Sequence, residues 1–396
     1  MANIENFPVG KEGSSQKKIK EKVIKRLKRR LYTILIVVVV LAAAIGWYFY
    51  HEANKVYTGF DVLNSVFYSP ADGARMVSLE DTVLTYSKDG AGAVDSQGNR
   101  LWNQTFDMQS PMASFDGYTA AFADYNGNNI FMQTEKEANI EVKTSMPIRN
   151  IAVSESGLVA AVLDDVDITY IYLYDSKGDV IAQFRSTMEK SGYPIDLDIS
   201  PSGELVAVSF YYVDANDIKS SVAFYNFGDV GQNQIDNLVS SYNYTNSVVP
   251  VVRFVSDEKV FALSNGRLSF YKGEHKPVSV NEVFFTDEIL SVFYDENYVA
   301  VVVRNSDDAN RYRAEIYSTD GELLCKKTFE FDYSEIVFGY DQFVIYGGSN
   351  LYVESVKGKT RFDGTYTDNI RLCIPDKASN KFVVVTGNSI DTIQLK

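Results

Sequence analysis

The sequence predicts an all-β fold, a β-propeller, behind one N-terminal transmembrane helix. Residues 31–50 carry no charge, and after them come short alternating runs of β-branched and aromatic residues separated by Gly, Asn, Asp and Ser turns. A strand–turn–strand unit then recurs along the chain. Repeats of about 40–50 residues with four strands each are typical of propellers. We expect eight blades, with seven as the alternative because the fourth and fifth units are loosely bounded.

The uncharged run reads LYTILIVVVVLAAAIGWYFY. A helix of this length spans roughly 30 Å, the hydrocarbon thickness of a bilayer. Its four final aromatic residues, 47–50, suit the water–lipid boundary. A cleaved signal peptide with its cleavage site at residues 42–44 is the alternative. The thirty residues that precede the run, together with its aromatic end, favour an uncleaved anchor at residues 31–50.

Charge predicts the orientation of this anchor. Residues 1–30 carry ten Lys/Arg and three Glu, and such basic flanks stay in the cytoplasm. We therefore expect a basic cytoplasmic tail (1–30), a short tether (51–55) and an exported propeller domain (56–396), which places the protein in the cell membrane with a single pass. Apolar residues at helical spacing before the anchor, such as Val23 and Leu27, indicate either a lipid-binding or partner-binding amphipathic helix or a basic flank that only sets topology.

Composition excludes several function classes for the exported part. Beyond residue 50 the chain has 28 Lys/Arg against 49 Asp/Glu, a net charge of −21, which excludes nucleic-acid binding. Two cysteines rule out a disulfide-stapled scaffold, and two histidines leave little room for metal sites or histidine-dependent catalysis. We expect no cofactor and no metal. The expected partners are the lipid bilayer, through residues 31–50, and an envelope protein or wall component.

Two kinds of turn define the repeat. One occurs in AVDSQGNRLWNQTF (93–106), YLYDSKGDVIAQFRST (172–187) and EIYSTDGELLCKKTF (315–329), and the other in AVSESGLVAAV (152–162) and DISPSGELVAVSF (198–210). With the strands of a blade named A to D, the first turn joins C to D and the second joins A to B. Aligned on these turns, the units begin near Arg75, Met112, Ile148, Ile195, Val249, Leu290, Ser334 and Asn369.

The eighth unit has room only for strands A, B and C. Residues 56–68, VYTGFDVLNSVFY, form a strand candidate that no other unit uses. We expect this segment to complete the last blade as its strand D, because closing the ring removes an exposed sheet edge.

These motifs resemble known propellers. Gly98-Asn99-Arg100-Leu101-Trp102 resembles the G-x-x-L-W element of quinoprotein-type blades, and the S-x-S-G turns resemble WD40-like and TolB-like blades. The whole arrangement resembles an uncharacterised family of single-pass membrane-anchored propellers of Gram-positive bacteria. Only one blade has the tryptophan and no adjacent cysteine pair is present, so the resemblance does not imply quinoprotein dehydrogenase activity.

No segment carries a catalytic signature, and we assign no catalytic residue. His275 lies in the polar turn of YKGEHKPVSV, and residues 124–129 begin like a calcium loop but misplace its glycine and put Lys136 where the final Glu should be. The predicted function is a non-catalytic binding or scaffold module at the cell envelope. The alternative is a cell-wall polysaccharide hydrolase with paired carboxylates near the channel, which would stand about 5–10 Å apart.

An acidic rim is the candidate partner-binding site. The B–C loops of the third, fourth and sixth blades are rich in aspartate, and with a closing strand D they face away from the end at which the anchor enters. Residues 232–247 are read as a long D–A link at the same end. The rim could recruit a basic protein segment or divalent cations, or its charge could serve solubility alone. Its residues are Asp164, Asp165, Asp167, Asp214, Asp217, Asp307 and Asp308.

The two cysteines are expected to be too far apart for a disulfide. Cys325 falls in strand D of the sixth blade and Cys373 in strand A of the eighth. A disulfide needs Cα atoms within about 7 Å, and these positions are two blades apart.

Overall fold

The structure is a computed structural model that describes residues 13–53, 55–71, 73–135, 139–165, 168–187, 191–214, 217–306 and 310–396. The chain forms two compact units, Met1–Val56 and Tyr57–Lys396. The first contains helix α1 (Gly13–Ala53), and its stretch Ile24–Trp47 is long and apolar enough to cross a membrane.

The second unit is an eight-bladed β-propeller in which every blade is a four-stranded antiparallel sheet. The strands of blades 1 to 4 are β2 (Arg75–Leu79), β3 (Thr82–Tyr86), β4 (Gly90–Val94), β5 (Arg100–Thr105), β6 (Pro111–Asp116), β7 (Thr119–Asp124), β8 (Asn129–Gln133), β9 (Ile140–Lys143), β10 (Ile148–Val153), β11 (Val159–Asp165), β12 (Ile168–Tyr174), β13 (Val180–Ser186), β14 (Tyr193–Ile199), β15 (Leu205–Asp214), β16 (Asp217–Asn226) and β17 (Leu238–Thr245).

The strands of blades 5 to 8 are β18 (Val251–Ser256), β19 (Lys259–Leu263), β20 (Arg267–Lys272), β21 (Val278–Phe284), β22 (Ile289–Tyr294), β23 (Tyr298–Arg304), β24 (Tyr312–Ser318), β25 (Leu323–Phe329), β26 (Glu335–Gly339), β27 (Gln342–Gly347), β28 (Asn350–Ser355), β29 (Thr360–Thr365), β30 (Leu372–Pro375), β31 (Lys381–Val385), β32 (Ser389–Leu395) and β1 (Phe60–Phe67). The eight-blade prediction is confirmed, and each blade begins within three residues of the position read from the sequence.

Strand β1 closes the ring as predicted. It pairs antiparallel with β32 from Phe60↔Leu395 to Phe67↔Ser389, which makes it strand D of blade 8. Tyr57, just before this strand, is buried and donates its backbone N–H to the carbonyl oxygen of Arg361 in blade 7 (2.7 Å). The segment that leads into the propeller is thus fastened to two blades.

The recurring C–D turn has a common hydrogen-bond pattern. Asp95 Oδ1 accepts the backbone N–H groups of Gln97 and Asn99, and Asp175 Oδ1 accepts the two corresponding groups of its own turn. In the turn of blade 6, Ser318 Oγ accepts the backbone N–H of Glu322. Glycine follows three residues later because the backbone there has a positive φ, +78° at Gly98 and +85° at Gly321. The repeat in the sequence is therefore a repeat of backbone geometry.

Two ends of the propeller follow from this topology. The A–B and C–D turns share one end, which we call the A–B end, and the B–C turns and D–A links share the opposite B–C end. Phe60 pairs with the last residues of strand C, so the chain enters the propeller at the A–B end. The core fills the spaces between neighbouring sheets, as Phe224 of blade 4 does when it packs edge-on against Tyr271 of blade 5 (5.1 Å).

One expectation about blade 4 is wrong. Residues 232–247 are not a D–A link, since Leu238–Thr245 within them is strand D itself. The long connection is residues 227–237, which joins C to D at the A–B end and contains two short 3-10 turns, Gly231–Asn233 and Ile235–Asn237. The sequence misleads because four of the eight residues in LVSSYNYT are Ser, Asn or Thr, so the segment looks like a loop.

Both cysteines lie in the strands predicted for them. Cys325 is in β25, strand D of blade 6, and Cys373 is buried in β30, strand A of blade 8. The two thiols are not bonded to each other.

Candidate functional site

The candidate site is the central channel, which the A strands of the eight blades surround. A cavity of about 720 Å³, here called the channel mouth, opens between the A–B turns. A smaller one of about 280 Å³, here called the inner cavity, lies beside it. The two share the lining residues Phe115, Asp116, Pro201, Phe254 and Tyr294. This volume range is the usual one for binding pockets.

Three aspartates of the inner cavity are set in the channel wall by the fold. A strand A is the inner edge of its sheet, so backbone N–H groups along it lack partners within the blade. Asp196 accepts the N–H of Val252 (2.8 Å), and Asp198 accepts that of Phe254 (2.7 Å). These carboxylates therefore tie blade 4 to blade 5.

Asp116 makes the same kind of tie between blades 2 and 3. Its Oδ2 accepts the backbone N–H of Glu155 (2.7 Å), and Ser114, two residues earlier, accepts that of Val153 (3.1 Å). Alternate residues of one strand point to the same side. Both strand pairs thus use acceptors at alternating positions, and the carboxylates serve the ring before any ligand is considered.

One cation lines the inner cavity among the described residues. Arg253 donates to Asp196 Oδ2 from Nη1 (2.6 Å) and also to the carbonyl oxygen of Val252. The pKa of Asp196 is nevertheless raised, because burial outweighs the attraction of the guanidinium. Asp116 and Asp198 line the same cavity and form no ion pair with any described residue.

The unpaired carboxylates have strongly raised pKa values. Burial raises the pKa of Asp198 to about 7, with smaller contributions from the charges of Asp196 and Asp116 and an opposing one from Arg253. Burial also raises the pKa of Asp116 to about 6, and Glu155 and Asp257 add to this. Ionised carboxylates at these positions are therefore held at a free-energy cost.

The channel mouth continues the negative charge toward solvent. Seven acidic residues line it and one basic residue, Lys377, among the described residues. Burial raises the pKa of Asp295 to about 6, and burial also raises that of Glu80 and Glu335. The acidic residues are Glu80, Asp81, Asp116, Glu155, Asp295, Glu296 and Glu335.

Aromatic rings line the two cavities together with these carboxylates. Phe115, Phe254 and Tyr294 line both cavities, and Phe293 and Phe338 line the mouth. The ring of Tyr294 packs edge-on against Phe261 (5.1 Å), and no described residue forms a hydrogen bond with its hydroxyl. A wall of aromatic faces and carboxylates is the environment that cationic side chains and amines favour.

The predicted acidic rim lies elsewhere, at the B–C end. Asp164 and Asp165 end strand β11, and Asp214 and Asp217 face each other across the B–C turn of blade 4. Asp164 is paired with Arg149 (2.7 Å) and Asp214 with Lys219 (2.6 Å), whereas Asp165 and Asp217 are exposed. Asp167, Asp307 and Asp308 lie outside the described residues.

Two other segments considered from the sequence are turns. His275 lies in the C–D turn of blade 5, where its Nδ1 is 2.9 Å from Glu204 Oε1 of blade 4. Residues 124–129 form the B–C turn of blade 2, and the Asp124 carboxylate accepts the backbone N–H groups of Gln109 and Ser110. The Asp124 oxygens thus stabilise a neighbouring chain segment.

The channel aspartates were not singled out from the sequence, although a signal for them existed. Asp196 and Asp198 alternate with apolar residues in YPIDLDI, a strand A that directly precedes an S-x-S-G turn. An acidic residue at every second position of a strand that lines the channel predicts channel-facing carboxylates. Asp116 has no second acidic residue at an alternating position of its strand, and only the structure places it in the same cavity as Asp196 and Asp198.

The family profile described as "Family of unknown function (DUF5711)" matches residues 53–395. A search of curated proteins gave no match.

Solved structures resemble the chain in fold. AztD from Citrobacter koseri is 8% identical with a TM-score of 0.51, and the match covers 75% of this chain and 87% of AztD. A structure titled as the eukaryotic initiation factor is 13% identical with a TM-score of 0.51, covering 81% and 82% of the two chains. BamB from Moraxella catarrhalis is 11% identical with a TM-score of 0.49, covering 85% and 100%. At such low identity the two higher-scoring matches show the propeller fold alone.

Proposed function

The chain belongs to the DUF5711 family of unknown function, and from this premise we propose that it is a membrane-anchored extracytoplasmic propeller that acts as a binding or scaffold module at the cell envelope. The observation that carries the proposal is the channel mouth, an open cavity of about 720 Å³ lined by seven carboxylates and several aromatic rings. Its ligand would be a cationic segment of an envelope protein or a wall component.

Anchoring is the first part of the proposal. The apolar stretch Ile24–Trp47 would cross the membrane, and the basic residues before it would hold the N-terminus in the cytoplasm. A membrane-impermeant amine-reactive label applied to intact cells tests this orientation. We expect labelled lysines in the propeller, such as Lys377, and no label on residues 11–30 until the membrane is opened. The reverse pattern would reject the orientation.

The second part of the proposal is the distance that the connection between helix α1 and strand β1 can span. Residues 54–59 connect helix α1 to strand β1, and six extended residues span at most about 22 Å. The chain enters the propeller at the A–B end, the end at which the channel mouth opens. The proposed partner is therefore one that is available close to the membrane, such as an extracytoplasmic segment of another membrane protein.

The rim at the B–C end remains a second proposed partner site. Asp165 and Asp217 are exposed there, while Asp164 and Asp214 already have basic partners within the chain. Among the described rim residues the available charge thus comes from Asp165 and Asp217, while Asp167, Asp307 and Asp308 lie outside the described residues. Replacing these five with Ser should weaken partner or Ca²⁺ binding if the rim is the site. Unchanged binding would leave the rim with a role in solubility.

Photo-crosslinking in the native membrane tests the binding-module proposal. A crosslinking phenylalanine analogue replaces Tyr118 or Tyr340, exposed in A–B turns, or Tyr125, exposed in a B–C turn near the rim. We expect discrete crosslinked products from Tyr118 and Tyr340 and none from Tyr125. Products from Tyr125 alone would move the site to the rim. Absence of discrete products from all three positions would reject a binding or scaffold function.

A wall-polysaccharide hydrolase is the second candidate function. It is favoured by one observation: Asp116, Asp196 and Asp198 line one cavity, and a pKa of about 7 would leave Asp198 partly protonated, as a general acid requires. The full-length protein, incubated with purified wall polysaccharide between pH 5 and 7, should then release reducing ends, and Asp198→Asn should not. No release by the wild type would reject this function.

A further inference from the structure

We propose that the inner cavity is a binding site for an organic ammonium group, held between the Asp116 and Asp198 carboxylates with the Tyr294 ring beside it. This inference rests on the proposed function, since it names the chemistry that the channel would recognise. The ammonium could belong to a free polyamine or to a lysine side chain of a protein, because both present the same charged group.

Asp198 has one carboxylate oxygen without a donor among the described residues. Its Oδ2 accepts the backbone N–H of Phe254, and no described residue donates to its Oδ1. A buried carboxylate normally has more than one donor, because an ionised oxygen without a partner is costly. The position of Asp198 in the channel wall makes this oxygen available to a ligand that brings its own N–H groups.

Tyr294 lies in strand A of blade 6 across the same cavity. Its hydroxyl also has no hydrogen-bond partner among the described residues, and 42% of the residue is exposed to the channel. Because the residue is partly exposed, a ligand in the cavity can reach it. Here the ring and the hydroxyl both remain available to a bound cation.

The cavity also has an unequal charge balance. Asp116, Asp196 and Asp198 face Arg253 alone among the described residues that line the cavity, so one bound cation would reduce a net negative charge. The mouth outside adds Glu80, Asp81, Glu155, Asp295, Glu296 and Glu335 against Lys377, which attracts and guides cations inward.

The shape of the site favours an amine over a metal ion. The described residues contain no group of three or more His, Cys, Asp or Glu side chains placed to hold a metal. Asp116 lies on strand β6 of blade 2 and Asp198 on strand β14 of blade 4, and the rings of Phe115 and Phe254 line the same cavity. An ammonium group on an alkyl chain can contact a carboxylate with its N–H groups and the rings with its methylenes.

The test is isothermal titration calorimetry on the full-length protein in phosphatidylcholine nanodiscs. The probes are spermidine, an N-acetylated lysine-rich peptide and CaCl₂. We expect saturable binding of an amine probe, weakened about tenfold or more by Asp198→Asn and several-fold by Tyr294→Phe. The matched control Glu322→Gln removes an exposed charge in a C–D turn at the same end and should not change binding.

A second readout is linked protonation. A bound cation favours the ionised carboxylates, so amine binding should weaken as the pH falls from 8 to 5.5, and at pH 6.5 it should release protons to the buffer. Burial raises the pKa of Asp116 to about 6 and that of Asp198 to about 7, which sets this window. Asp198→Asn should reduce the proton release.

The outcomes distinguish a free amine from a lysine side chain, and they distinguish failure of the amine site from failure of the binding-module function. Binding of spermidine alone would identify a free amine, and tighter binding of the peptide would identify a lysine side chain. Equal binding by wild type, Asp198→Asn and Tyr294→Phe, preference for Ca²⁺, or no saturable amine binding would overturn the inference. In those cases crosslinks from Tyr118 or Tyr340 would still support a binding module, whereas their absence would reject that function independently.

Discussion

The ionised form of Asp198 should make the propeller less stable as the pH rises. Its pKa in the folded protein is about 7, against an ordinary value of 3.8, because it is buried in the channel wall. The folded state therefore binds this proton more tightly than the unfolded state does. The stabilisation is fully present below pH 3.8 and is lost as the pH rises through 7.

The size of the effect follows from the pKa difference. A shift of one unit corresponds to about 1.4 kcal/mol, so roughly three units set an upper limit of about 4 kcal/mol. Water in the channel reduces this limit, and we expect about 2–3 kcal/mol. Asp196, Asp116, Arg253 and Tyr294 are the titratable or charged groups that surround the carboxylate.

The perturbation is Asp198→Asn, which keeps an oxygen to accept the Phe254 N–H while removing the charge. Its free energy of unfolding should exceed that of the wild type by about 2–3 kcal/mol at pH 8, and the difference should vanish near pH 4. Urea unfolding of the full-length protein in detergent, followed by fluorescence and circular dichroism at several pH values, measures this. Glu322→Gln is the control with an exposed charge.

Two results would refute the reasoning. A gain from Asp198→Asn that is equal at pH 4 and pH 8 would mean that the charge is not the cause. A loss of stability at pH 8 would mean that the ionised carboxylate is stabilising where it lies, and the proposed free-energy cost in the inner cavity would be wrong.

Three further predictions follow from the packing. Gly321→Ala should destabilise the protein by more than the roughly 1 kcal/mol expected for Gly73→Ala. Both glycines have positive φ, but a Cβ at Gly321 would lie 2.7 Å from side-chain atoms of Asn281 and Phe270, whereas a Cβ at Gly73 would meet nothing within 4 Å. The urea midpoints of the two variants compare the effects directly. Phe382→Ala should cost about 3–5 kcal/mol because Phe382 is fully buried between blades 7 and 8. Urea unfolding that is unaffected by this change would contradict the packing of these two blades. The thiols of Cys325 and Cys373 should resist alkylation at pH 8 until the protein unfolds. Burial raises the pKa of Cys325 to about 12 and raises the pKa of Cys373 as well. Rapid labelling of the native protein would disprove this.

The architecture of the propeller could be predicted because its determinants are local. Several C–D turns use a side-chain acceptor and, three residues later, a glycine with positive φ, so Asp95–Gly98 and Ser318–Gly321 repeat as a pattern in the sequence. The closing strand could be predicted for the same kind of reason. The eighth unit lacks a strand D, and residues 56–68 have the alternation of a strand with no other place in the repeat.

The candidate site could not be predicted because it depends on contacts between blades. Asp116 and Asp198 are 82 positions apart, and only the closed ring brings them to one cavity. Their hydrogen bonds to Glu155 and Phe254 are set by how neighbouring A strands align, which no local pattern records. The long connection of blade 4 was misplaced for a related reason. Strand β17 is fixed by its pairing with β16 and by the burial of Val239 and Tyr244 against neighbouring strands, which no local pattern records.

A cryo-electron microscopy structure of the full-length protein, captured by crosslinking in its native membrane, tests the central claim most directly. The account predicts additional density at the A–B end that enters the channel mouth and reaches the inner cavity beside Asp116, Asp198 and Tyr294. A partner bound only at the B–C end or along the outer strands, with the channel holding nothing but water, would contradict it.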